Sequence, residues 1–123
     1  MGTTLLVLAA LLSLGGAIFH GYVGGKIYMG NVKDSNLLPL TQSLSLISWQ
    51  MFTVFLVTSG VTLLCVAMNT DLALLSYPVL LGNGMGAALF LWIGLTGHAA
   101  LFKLPGMYLM LLTAVLGWLG LPS

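Results

Sequence analysis

Residues 40–68, LTQSLSLISWQMFTVFLVTSGVTLLCVAM, contain no charged side chain. A bilayer's hydrocarbon core is crossed by about 20 apolar residues in helical form. The stretch is long enough for that. Its apolar residues run on without the strict alternation of a barrel strand, so a membrane helix is the expected structure. Working outward, an apolar run precedes it from Thr4 to about Gly25. The polar segment Lys26 to Asn36 and Pro39 lie between the two runs. After Met68 the turn Asn69-Thr70-Asp71 leads to a third run, from about Tyr77 to Phe102. Residues from Leu72 to Pro78 are assigned to the interface. Lys103 and Pro105-Gly106 punctuate the chain again before a last, shorter run, Gly106 to about Leu121. The expected fold is all-α: one polytopic membrane domain over residues 1–123, a bundle of four transmembrane helices (about 4–25, 40–68, 77–102 and 106–121) with short loops.

Composition agrees. Only 4% of the residues are charged and 59% are hydrophobic, whereas an ordinary soluble domain is about one quarter charged. So few charges cannot cover a water-facing surface, and the lipid bilayer is the first expected partner. Three lysines, no arginine and a net charge of +1 provide no basic stripe for nucleic acid. Four spans put Lys26, Lys33 and Lys103 on one side. The positive-inside rule then places those loops in the cytoplasm and both termini outside, with a bacterial inner membrane as the expected location. The start lacks a basic n-region, so the first run is expected to be retained as a span rather than removed as a signal peptide.

The few polar residues within the runs set the expectations for a site. His20 lies six residues before Lys26 and His98 five before Lys103. At about 1.5 Å per residue both histidines come to a similar depth, with Ser48, Trp49 and Gln50 of the second run at the same level. Tyr22 and Tyr108 complete this polar layer. Gly16 and Gly94 each lie four residues before a histidine, one turn away on the same face. Such a pair of flat shelves suits a macrocycle with an axial imidazole. One expectation is therefore a tetrapyrrole, haem b or bacteriochlorophyll, held by His20 and His98 over Gly16 and Gly94. Gln50 and Asn83 are expected to hydrogen-bond across helices. Trp49 and Tyr28 are expected in an interfacial aromatic belt, as are Tyr77 and Trp118 at the other face. Glycine is abundant, 16 residues in all, and concentrates in the first and third runs, which are expected to pack together or to flank something flat.

Several functions lack residues. The only acids, Asp34 and Asp71, fall in turns, so transport coupled to an intramembrane carboxylate has nothing to use. The single cysteine, Cys65, rules out an internal disulfide and a cysteine-only metal site. No nucleophile elbow, phosphate loop or metal-ligand spacing is present, so no catalytic and no metal residues are assigned. The favoured expectation is a non-enzymatic accessory or assembly subunit of a larger membrane complex, contacting other membrane protein subunits or further copies of itself. Electron or energy transfer through a tetrapyrrole is the alternative, and a small channel or transporter is weaker.

Overall fold

The computed structural model describes residues 1–123 and is all-helical, with no strand. Helix α1 (Gly2–Ile18) passes through a π-helical turn (Phe19–Gly24) into α2 (Gly25–Lys33), so that Gly2–Lys33 is one continuous rod. Helix α3 spans Pro39–Met68. A 3₁₀ turn (Thr70–Leu75) leads into α4 (Ser76–Leu95), and a second (Ala99–Lys103) precedes α5 (Gly106–Gly120). Three of these rods, Gly2–Lys33, Pro39–Met68 and Thr70–Leu95, are long and apolar enough to cross a membrane. The 15-residue α5 is shorter, about 22 Å at the usual rise.

Local chemistry sets the breaks. Pro39 occupies the first turn of α3, where its missing N–H costs nothing. Asn69 ends α3 in an extended conformation, and its side chain accepts a hydrogen bond from the Asp71 N–H at 3.1 Å. This Asx turn starts the 3₁₀ segment. Gly97 has φ +122°, a conformation that favours glycine, and it breaks the chain directly after α4.

That break corrects the third expected run. The sequence suggested a helix through Phe102, but α4 ends at Leu95 and His98 lies in the connection. Apolarity persists past Leu95, so hydropathy alone misses a turn made by backbone geometry at Gly97.

Around the bundle, α1 packs on α3 and α5, while α4 packs on α5 and more lightly on α3. Helices α1 and α4 are thus diagonal. The expected packing of the two glycine-rich runs against each other gives way to glycines that receive side chains from the adjacent helices. Gly82 faces the Phe55 ring, and Gly16 faces Leu109.

Packing is uneven along the bundle. Leu6, Ala9, Ala10, Leu63, Val66, Val79 and Leu80 form a closed core toward the end that carries the termini. Each such leucine removed from its apolar surroundings would cost about 2–5 kcal/mol. Next comes a polar layer with one residue from each long helix and from α5: Ser13, Ser59, Asn83 and Thr113, all fully buried. Ser13 Oγ donates to the Leu56 carbonyl at 2.8 Å, and Asn83 Nδ2 donates to Ser59 Oγ at 3.1 Å and to the Val79 carbonyl at 2.7 Å. Asn83 Oδ1 and Thr113 Oγ1 have no protein partner. Toward the lysine-bearing end, α3 buries nothing before Leu56 and α2 buries nothing at all. There the helices part around a cavity. Cys65, for which a buried thiol would be ordinary, is exposed on the outer face of α3.

Candidate functional site

The cavity has a volume of about 410 Å³ and is walled by α1 and its π turn, α3, Phe90 of α4, and the segment from Leu101 to Leu109. His20, Tyr28, Ser45, Ser48 and Trp49 bring the polar atoms; most of the rest is apolar. This is the composition of a ligand pocket, in which a few polar groups orient a mostly apolar occupant.

His20 is the most constrained of these residues. Its ring lies parallel to Trp49, with centroids 4.1 Å apart and an interplanar angle of 12°, and it meets Phe52 edge-on at 4.8 Å. His20 Nδ1 shares a hydrogen bond with Thr53 Oγ1 at 3.0 Å. The other ring nitrogen, Nε2, has no protein partner. The π turn explains how the clamp closes. Widening the helix there sends the Gly25 N–H to the His20 carbonyl, one residue further back than in an α-helix. The same carbonyl also accepts the Trp49 indole N–H at 2.9 Å. Trp49, Phe52 and Thr53, within one turn of each other on α3, thus hold one residue of the first rod.

The surrounding glycines make the approach feasible. A Cβ on Gly24 would lie 2.7 Å from Trp49 Cζ2, and one on Gly21 would lie 2.9 Å from Thr53 Cγ2. Both glycines are needed for α3 to come this close, which gives the segment His20-Gly21-Tyr22-Val23-Gly24-Gly25 a packing role.

The other expected site residues disperse. His98 is exposed and does not line the cavity, so the structure does not bring the two histidines into one site. The shelf expected at Gly94 is covered by the Phe102 ring, and Gly16, which does reach the cavity wall, is covered by the Leu109 side chain. Tyr22 is exposed and its hydroxyl accepts a hydrogen bond from Lys26 Nζ at 2.9 Å, with the ammonium also over the ring at 4.3 Å. Tyr108 donates to the Phe102 carbonyl at 3.0 Å on an exposed face. Gln50 lies against Gly21 and Gly25 without a hydrogen bond across the helices, whereas Asn83 makes one. No three His, Cys, Asp or Glu side chains converge as a metal site would require.

Trp49 was expected in the interfacial belt and instead turns inward onto His20; Tyr28 does line the same cavity, tilted against Trp49 at 5.6 Å. Sequence reasoning placed Trp49 at the right depth but had no means of fixing its angular position. Phe52, Thr53 and Phe90 were missed. Among them only Thr53, a polar residue one turn from Trp49, left a signal in the sequence. In comparisons with known proteins, no family model matches this chain, and no match was found among curated proteins or solved structures.

Proposed function

We propose that the chain is a four-span integral membrane protein of a bacterial inner membrane that binds a small, mostly apolar molecule, carrying one hydrogen-bonding group, beside His20. The observation that carries this reading is a half-buried imidazole that lines an apolar cavity of about 410 Å³, is fixed by Trp49, Phe52 and Thr53, and keeps one ring nitrogen free of any protein partner. Holding one histidine with stacking, an edge contact and a hydrogen bond costs side-chain freedom, and a preorganised contact to a ligand is what such a clamp provides. In this reading α5 is the fourth span. Its shortness is accommodated by local thinning of the bilayer. The lysine loops face the cytoplasm, and the cavity lies near that face.

The test is the lipophilic content of protein purified in mild detergent, measured by solvent extraction and mass spectrometry. Wild type and His98→Ala should retain the same compound in near-equal amounts, and His20→Ala should lose it. Equal retention by His20→Ala would refute the assignment. The visible spectrum of the same sample distinguishes a tetrapyrrole: a Soret band lost in His20→Ala would make His20 its axial ligand without help from His98.

A second reading, an accessory or assembly subunit, is favoured by a different observation. The α2 rod and the first half of α3 bury no residue, which leaves helix surface there for a partner to cover. Co-purification with a larger membrane assembly would support it, and a stable lone monomer would count against it.

A further inference from the structure

A second hollow adjoins the cavity. It runs between α1 and α5 on the outside of the bundle and is lined by Leu8, Leu11, Leu12, Gly15, Gly16, Phe19, Pro105 and Leu109. Every one of these side chains is apolar or absent. Four of the residues, Gly16, Phe19, Pro105 and Leu109, also line the cavity. The two hollows therefore meet along one wall, where the Leu109 side chain over Gly16 and the Phe19 side chain stand between the His20 chamber and the lipid-facing groove. Gly15 forms part of the groove floor, and a Cβ there would meet nothing within 4 Å.

From this adjacency we infer that the two hollows join when Leu109 and Phe19 turn aside, and that the ligand is a membrane-borne amphiphile, a carbonyl- or hydroxyl-bearing ring with a single linear apolar tail. The inference rests on the chamber being a ligand site. The ring lies in the chamber with its polar group toward His20 Nε2, and the tail passes between Leu109 and Phe19 into the α1–α5 groove. Size supports the division. A dry cavity of about 150 Å³ takes one benzene, so a chamber of about 410 Å³ suits a substituted ring, while a long chain needs the exit. The tail gains little affinity from the groove, because lipid around it is equally apolar. The groove instead decides whether a tailed molecule fits at all.

The experiment uses the full chain in nanodiscs with Trp92 and Trp118 replaced by Phe, so that Trp49 beside His20 reports binding by fluorescence quenching. The two probes are a dimethoxy-methyl benzoquinone without a tail and the same ring carrying a ten-carbon chain. Gly15→Phe fills the groove from a position with no internal neighbour, and Gly15→Ala is its control. The expected result is at least a ten-fold loss of affinity for the tailed probe in Gly15→Phe, with the tailless probe within two-fold of wild type and Gly15→Ala unchanged for both. If Gly15→Phe leaves the tailed probe unaffected, the tail assignment is overturned and the groove belongs to ordinary lipid chains, while the chamber reading stands. If neither probe quenches Trp49 in the unblocked protein, the ring-and-tail ligand is overturned together with the chamber that it needs.

Discussion

Gly24 and Gly25 are neighbours, and alanine in place of each should have opposite effects. At Gly25 the nearest atom to an added Cβ is Gln50 Nε2 at 3.9 Å, an ordinary contact; at Gly24 it is Trp49 Cζ2 at 2.7 Å, well inside the 3.4 Å at which such contacts become ordinary. Trp49 cannot yield freely, because it is stacked on His20 and donates to the His20 carbonyl. Displacing it forfeits a hydrogen bond of about 1 kcal/mol and an aromatic contact of about 1 kcal/mol. Replacing a helical glycine by alanine returns about 1 kcal/mol. Gly25→Ala should therefore be stabilised by about 1 kcal/mol and Gly24→Ala destabilised by about as much. For a chain of this length 1 kcal/mol corresponds to about 4 °C in Tm, so the two variants should separate by about 8 °C in thermal unfolding followed in mild detergent. Gly24→Ala should also change the emission of Trp49 in the Trp92→Phe, Trp118→Phe background. Equal melting of the two variants, with Trp49 emission unchanged, would refute the clamp.

Three further outcomes test other parts of the structure. Thr113→Val keeps the side-chain volume but removes a buried hydroxyl that has no protein partner. Unfolding midpoints should stay level or rise, and a loss above about 1 kcal/mol would mean that the hydroxyl is bonded. Gly97→Ala forces a Cβ onto a backbone at φ +122° and should cost about 1–3 kcal/mol, measurable as a lowered Tm with unchanged helical circular dichroism. Thr53→Val leaves His20 Nδ1 without its partner, and nitrogen NMR of the imidazole should show a changed tautomer balance, whereas Ser45→Ala, which lines the cavity but does not touch His20 by a hydrogen bond, should not.

What the sequence settles by itself is the solvent and the secondary structure. With 4% charged residues and apolar runs of helical length, the backbone has to satisfy its own hydrogen bonds, and helices follow from that requirement alone. Depth also follows, because rise per residue is fixed and puts His20 and Trp49 at one level whatever the packing. Helical phase and neighbour identity do not follow. In lipid the outer faces are as apolar as the inner ones, so no amphipathic stripe says which side of α3 turns inward. Trp49 reads as a belt residue for that reason. The diagonal placement of α1 and α4, the filling of the Gly16 and Gly94 shelves by Leu109 and Phe102, and the end of α4 at Leu95 all depend on side-chain fit and one glycine's backbone angle. Only the tertiary structure decides these, because close packing selects among helix faces that hydropathy leaves equivalent.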